Sequence, residues 1–294
     1  MFYYSLFRFF EILFLALPSA VQKDFILGIA KFLFLIDAKH KKIIKANLDL
    51  TIKDEISPET YQRILKNCHK NLALVVLQVL RSSKMTLPQM EAIVNFENRE
   101  IVDAALKEGK PIIFISAHYG NWELGATALS ALITPTMSIH KKMNDTYFDE
   151  YLMKSRTKFN MSMTEKKGAI RHLLKALKQN MSLSMMIDQN VNPRDGIFVN
   201  FLGAKATQTS APAFLARKFD LKIIPLFMNT TPEKEHVITF YEPIIVEKTD
   251  NEEADILKAT QAQADLFSQV IKTYPEPWFW CHKRWKTAHE EIYR

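Results

Sequence analysis

Pro111-Ile112-Ile113-Phe114-Ile115-Ser116-Ala117-His118-Tyr119-Gly120-Asn121-Trp122-Glu123 is the stretch whose reading decides the fold. Its first half is a short apolar run, the mark of a buried strand. The run stops at a histidine, passes a glycine and enters a helical pattern led by Asn121, with Glu123 in the first turn. Strand ends that face helix starts are where open α/β sheets build their sites. A histidine there can remove a proton, and a nearby carboxylate can orient the imidazole and stabilise its charged form. His118 and Glu123 are therefore the candidate base and its partner. On one continuous helix they would point about 140° apart. His118 must then lie before the helix, with Gly120 in the turn and Glu123 folding back from the first turn. The free N–H groups of that helix start can also stabilise developing negative charge.

Spacing alone does not settle the pair. With 8 histidines and 32 acidic residues in 294 positions, roughly one chance His-x4-Asp/Glu match is expected. His140 to Asp145 is a second match, but it sits beside Lys141 and Lys142 and no glycine follows it. The competing reading of 118–123 is a strand-end histidine satisfied by a backbone carbonyl, with Glu123 an ordinary acid stabilised by the helix dipole.

Outward from this stretch, strand-like runs at 111–116, 137–139, 183–187 and 223–228 alternate with helical patterns at 121–132, 145–158, 169–179 and 211–219. Further strands are expected at 198–201 and 237–241, and further helices at 58–81, 98–108 and 252–272. Strands alternating with helices mean an α/β fold with a largely parallel central sheet flanked by helices. That topology brings several polar groups to one sheet edge. Asp188, Gln189 and Asn190 follow the strand at 183–187, and Gly196 lies in the loop after them. Arg156 lies in the helix between. Asp188 reads equally well as a cap for its own loop, and Arg156 as a surface arginine.

Residues 1–50 have a different character. Apolar, aromatic-rich runs at 2–17 and 25–36 are interrupted by Arg8, Glu11 and Lys31. Both fall short of the ~20 apolar residues a spanning helix needs. Glu11 and the missing basic start argue against a cleaved leader, although Pro18-Ser19-Ala20 loosely resembles a cleavage site. The preferred reading is an apolar helical membrane-anchoring segment lying in the bilayer interface. Lys39, Lys41, Lys42 and Lys45 follow it and suit anionic lipid. A pair of soluble core helices is the alternative. Residues 51–294 then form the α/β domain.

The apolar and charged fractions, 48% and 24%, are globular, and the net charge of +7 favours an anionic partner or serves plain solubility. Cys68 and Cys281 stand isolated and fit a reducing compartment. Gly-x-Ser-x-Gly, Gly-x-Gly-x-x-Gly and the P-loop are absent, and no His/Asp/Glu cluster has metal spacing, so no metal site is expected. Acyl transfer from a thioester to a hydroxyl needs a base and oxyanion donors, but no serine or cysteine nucleophile if the acceptor attacks directly. The run 274–286, Tyr-Pro-Glu-Pro-Trp-Phe-Trp-Cys-His-Lys-Arg-Trp-Lys, mixes aromatics with cations. Such a mixture suits a membrane interface and can also stack nucleic acid. A basic nucleic-acid binder is disfavoured because the cations form no stripe.

Taken in order, these blocks resemble the late acyltransferases of lipid A biosynthesis, the lauroyl and myristoyl transferases. Ser-Ala-His-Tyr-Gly-Asn-Trp-Glu at 116–123 looks like the family's His-x4-Asp/Glu block. The segment from Lys141 to Arg156 is similar to the basic segment that follows it, and Ile187-Asp188-Gln189 to the Asp-Gln strand end. Gly196 to Gly203 with Ala206-Thr207, and Pro275 to Lys286, resemble the two remaining signatures. The chain departs at Asn160, where glycine often stands, and at Lys141-Lys142, where Tyr-Arg is common. The resemblance implies a glycerolipid-acyltransferase-like enzyme at the cytoplasmic face of the inner membrane. It would move a fatty acyl chain from acyl carrier protein to a hydroxyl of a Kdo-bearing lipid A precursor, with no cofactor. It makes His118 the general base and Glu123 its partner. Arg156, Asp188, Gln189, Lys141 and Lys142 would bind or orient substrate. An acceptor that is another membrane glycolipid or a lysophospholipid stays open.

Overall fold

A computed structural model describes residues 2–229 and 236–294. Five helices come first: α1 (Phe2–Leu15), α2 (Ser19–Ile36), α3 (Ala38–Leu50), α4 (Pro58–Ser82) and α5 (Leu87–Ile93). The alternation follows as β1 (Asn95–Glu97), α6 (Arg99–Lys107), β2 (Ile113–Ser116), α7 (Trp122–Leu132), β3 (Thr136–His140), α8 (Thr146–Arg156), β4 (Met161–Glu165), α9 (Ala169–Lys178) and β5 (Ser182–Met186). The rest is β6 (Ile197–Phe201), β7 (Ala204–Gln208), α10 (Ala211–Phe219), β8 (Ile223–Asn229), β9 (Val237–Phe240) and α11 (Glu252–Thr273).

Among the described residues, seven strands form one sheet in the order β1-β9-β8-β2-β5-β3-β4. Every pairing is parallel except β8 with β9, so the α/β fold with a mostly parallel sheet stands as expected. β2 is buried along its whole length between β8 and β5. A central parallel strand covered on both faces is apolar throughout, which is why 111–116 shows no alternation. Ile113 and Ile115 face a core shared with α4, α10 and α11, while Phe114 faces a second core with α5, α6 and α7. Each such fully buried side chain contributes roughly 2 kcal/mol.

The run at 198–201 is a strand, but it lies outside the central sheet, in an antiparallel hairpin of β6 with β7. Asn160 has φ +57. This left-handed turn between α8 and β4 admits asparagine as well as the glycine that often stands there in the resembled family.

The N-terminal helices dock through polar groups buried within their apolar runs. Glu11 is buried, accepts a hydrogen bond from Tyr151 Oη of α8 at 2.6 Å and pairs with Arg8 at 2.7 Å. Tyr4 stacks on Tyr147 and Phe7 meets Tyr151 edge-on. Gln22 accepts from Arg81 of α4 at 2.9 Å. Asp37 caps α3 and meets His69 of α4 at 3.2 Å. The outer faces stay open: Phe9, Phe10, Phe25, Phe32, Leu35 and Ile36 are all exposed. Among the described residues, no helix is long and apolar enough to cross a membrane. α1 has 14 residues, and α2 has 18 but carries Lys23, Asp24 and Lys31. The expected anchor therefore has no spanning helix behind it.

The expectation for the C-terminal run is corrected. Trp278, Trp280, Trp285 and Arg284 are fully buried, so the tryptophans present no surface to a membrane or a nucleic acid; Tyr274 stays exposed and Phe279 half-buried. Asn47 of α3 donates to the carbonyls of Trp280 and His282, both at 2.8 Å, and holds the run against the first part of the domain. Cys68 and Cys281, far apart in sequence, are buried neighbours with Sγ atoms 3.0 Å apart, and both are free thiols.

Candidate active site

Parallel register builds the site. In the β2–β5 pairing Ser116 faces Met186, and Ile187 N–H still donates to Ser116 O at 3.1 Å. His118 and Asp188 each stand two residues past that pair. Two adjacent parallel strands thus deliver an imidazole and a carboxylate side by side at the carboxyl edge of the sheet. His118 Nδ1 lies 2.8 Å from Asp188 Oδ1, and His118 N–H donates to Asp188 Oδ2 at 3.0 Å. The carboxylate fixes the tautomer: Nδ1 carries the proton and Nε2 is left to accept one. Gln189 Nε2 lies 3.3 Å from that nitrogen and donates to it.

This arrangement corrects the expected pairing of His118 with Glu123. Glu123, in the first turn of α7, is held by Arg156 from the last turn of α8. Arg156 Nε donates to Oε2 at 2.9 Å and Nη2 to Oε1 at 2.5 Å. A bidentate guanidinium takes both oxygens of a carboxylate, so Glu123 reaches His118 through its charge and makes no hydrogen bond to it.

The electrostatics follow the geometry. The Asp188 side chain is 3% exposed. Burial alone would raise its pKa, but the charge and hydrogen bond of His118, the Trp278 indole and the His118 amide pull it down to about 2. Burial alone would lower the His118 pKa. Asp188, by charge and hydrogen bond, outweighs that with help from Glu123 and against Arg156, so the value is raised. Burial likewise works against the Arg156 charge, and Glu123 overcomes it, so its pKa is raised too.

Gly120 explains the turn. Its φ is +55, and a Cβ there would stand 2.0 Å from the Met228 carbonyl oxygen. No side chain fits. Gly120 N–H donates to Pro277 O at 3.0 Å, which ties the turn to the C-terminal segment.

His118 opens onto a cavity of about 420 Å³, also lined by Trp122, Glu123, Arg156 and Gln189. Met161, Met163, Met185, Met186, Ile139 and Leu152 give it apolar walls. Flexible thioethers adapt to irregular apolar guests. His140, Lys141 and Lys166 also line it. The two lysines expected at substrate part company. Lys141 lines the cavity, while Lys142 faces Glu165 at 3.8 Å. Lys166 joins Lys141 instead because β3 and β4 are in register, His140 against Glu165, and Lys166 N–H donates to His140 O at 2.9 Å.

Asp188 was visible as a strand-end acid, but its adjacency to His118 depends on strand order, which local sequence does not carry. Trp278 gave one signal: a buried indole N–H needs an acceptor. Its acceptor is Asp188, at 2.9 Å. The arrangement as a whole is an imidazole whose Nε2 accepts from Gln189, with a buried anion behind it and an apolar cavity in front. It can take a proton from a hydroxyl beside an apolar chain.

The known proteins to which the chain is similar are acyltransferases. The chain is 21% identical over 270 residues to the lipid A biosynthesis lauroyltransferase of Escherichia coli K12, covering 90% of this chain and 85% of the relative. It is 22% identical over 208 residues to a phosphatidylinositol mannoside acyltransferase of Mycolicibacterium smegmatis, covering 68% and 66%. Among solved structures, the 1-acyl-sn-glycerophosphate acyltransferase PlsC of Thermotoga maritima aligns with a TM-score of 0.39 and 12% identity, over 84% of this chain and 98% of that one. Residues 1–287 match the bacterial lipid A biosynthesis acyltransferase family, and the chain belongs to that family of acyltransferases.

Proposed function

We propose that the protein transfers a fatty acyl chain of the lauroyl or myristoyl class from acyl carrier protein to a hydroxyl of a Kdo-bearing lipid A precursor. The observation that carries this is the His118–Asp188 pair with Nε2 open to a methionine-walled cavity. His118 Nε2 takes the acceptor hydroxyl proton as the oxygen attacks the thioester carbonyl carbon. The tetrahedral oxyanion then collapses, the C–S bond breaks, and the leaving thiolate recovers the proton from the imidazolium. Asp188 orients the ring and stabilises its charged form. The first-turn amides of α7 supply the positive end of a helix dipole for the oxyanion. The apolar walls take the acyl chain. Lys141, Lys166 and Arg156 meet anionic groups of the substrates, with Glu123 holding Arg156 in place.

The exposed apolar faces of α1 and α2, followed by Lys39, Lys41, Lys42 and Lys45, support a helix pair lying in an anionic bilayer interface. On this reading the enzyme sits on the inner membrane with its active site on the cytoplasmic side. The similarity to a phosphatidylinositol mannoside acyltransferase favours a second reading, the same chemistry on another membrane glycolipid.

Two experiments test the proposal. His118→Ala should abolish acyl transfer by membranes supplied with acyl carrier protein thioester while the protein still accumulates; full activity would reject the base. Intact mass of the host's lipid A, with and without the gene, reports acceptor and chain length together. No loss of an acyl chain from lipid A would move the assignment to the second reading.

A further inference from the structure

The C-terminal segment reaches the site directly. Residues 118–120 and 277–279 meet as a short antiparallel bridge centred on Tyr119 and Trp278. Phe279 N–H donates to His118 O at 2.9 Å and Gly120 N–H to Pro277 O at 3.0 Å. In an extended segment neighbouring side chains point to opposite sides. Phe279 accordingly lies beside the His118 and Trp122 rings, at 6.4 and 5.8 Å. Trp278 points the other way and is fully buried, with its Nε1–H on Asp188 Oδ2 at 2.9 Å. That oxygen also accepts the His118 amide, and the other oxygen takes His118 Nδ1. With three donors on two oxygens, the carboxylate has one orientation. Arg284 lies behind it, buried, donating to Thr207 O and to Gln208 Oε1 at 3.2 Å, with its guanidinium 4.6 Å over the Phe201 ring. Among the described residues no carboxylate pairs with Arg284 within 4.0 Å; burial lowers its pKa to about 10, with Asp188 and Tyr293 working against that.

We propose that Trp278 is a positioning residue of the active centre: its indole N–H fixes Asp188, Asp188 fixes the His118 ring, and segment 277–279 closes the turn that carries both. The inference rests on His118 being the base, and it gives the aromatic run at the chain's end a role in the reaction as well as in the core. Removing the N–H leaves Asp188 less solvated and more basic, so it holds the Nδ1 proton more tightly and raises the His118 pKa.

The test separates the hydrogen bond from packing. Benzothienylalanine, introduced at position 278 alone in the full chain, replaces the N–H by sulfur and keeps the bicyclic shape. We expect kcat to fall on the order of ten-fold with KM for both substrates nearly unchanged, and the acid limb of the pH–kcat profile to move to higher pH, the size expected of one hydrogen bond to a charged group. As a second comparison, Trp278→His keeps a ring N–H and should exceed Trp278→Phe in kcat at matched thermal stability. Wild-type kcat and pH profile in the isostere, with His118→Ala inactive, overturn the role of Trp278 alone. An active His118→Ala overturns the base assignment beneath it.

Discussion

Residues 2–36 and 275–286 are both aromatic-rich and punctuated by charge, and the molecule uses them in opposite ways. At the N-terminus phenylalanines and leucines face outward, with Lys23, Asp24 and Lys31, while one charged residue turns in: Glu11 is buried against Tyr151 and Arg8. At the C-terminus three tryptophans turn in and take Arg284 with them. What separates the two is how much of each the domain covers. Each buried indole brings one donor to place: Asp188 accepts it from Trp278 and Pro275 O from Trp280, while Trp285 Nε1 is buried without a hydrogen-bond partner. Phenylalanine has no such requirement, and on a helix only one stripe of it can be covered by the domain. Composition was the same cue in both segments, and it could not tell a surface from a core.

The sharpest way to break this contrast is Trp280→Ala. Emptying a fully buried indole site should cost about 3–5 kcal/mol in denaturant unfolding. A loss below about 1 kcal/mol would mean that the C-terminal run is not core. Next in size is Tyr151→Phe, which strips the buried Glu11 carboxylate of its phenol donor. Denaturant melts should show a loss of about 1–3 kcal/mol, and no loss would mean that α1 is not held there.

The next effect comes from the Glu123–Arg156 ion pair, between the start of α7 and the end of α8. The Glu123 charge raises the His118 pKa, after burial and Asp188 have had their larger effects. Glu123→Gln should therefore lower it and move the acid limb of the pH–rate profile to lower pH by less than about one unit, about 1.4 kcal/mol. A shift to higher pH would contradict the geometry. The smallest stability effect belongs to Phe9→Gln with Phe32→Gln: within about 0.5 kcal/mol in detergent, as for ordinary surface changes. Sedimentation with anionic vesicles should nonetheless weaken. Unchanged vesicle binding, or a large stability loss, would assign these helices to a soluble core instead.

The fold was largely legible because its strands and helices differ in period. The apolar run at 111–116 needs both faces covered, and α10 is bounded as its pattern predicts, 211–219. Met161–Glu165 and Asn95–Glu97 escape notice for physical reasons. The first, Met-Ser-Met-Thr-Glu, has no β-branched aliphatic residue, and the second is three residues long, too short for a period. The site was legible residue by residue but not in its pairing. His118, Arg156 and Glu123 line one cavity and Asp188 is buried behind the imidazole, yet the sequence pairs His118 with the nearest acid in the chain, while the sheet pairs it with the nearest acid in register. Strand order is a property of the whole fold, and nothing within 118–123 encodes it.

The central claim is that Asp188, not Glu123, holds the His118 ring with its Nδ1 protonated. Imidazole nitrogen-15 NMR of the full chain measures this directly. The account predicts a protonated, hydrogen-bonded Nδ1 signal for His118 that persists in Glu123→Gln and disappears in Asp188→Asn. A signal that survives Asp188→Asn and is lost in Glu123→Gln would contradict it.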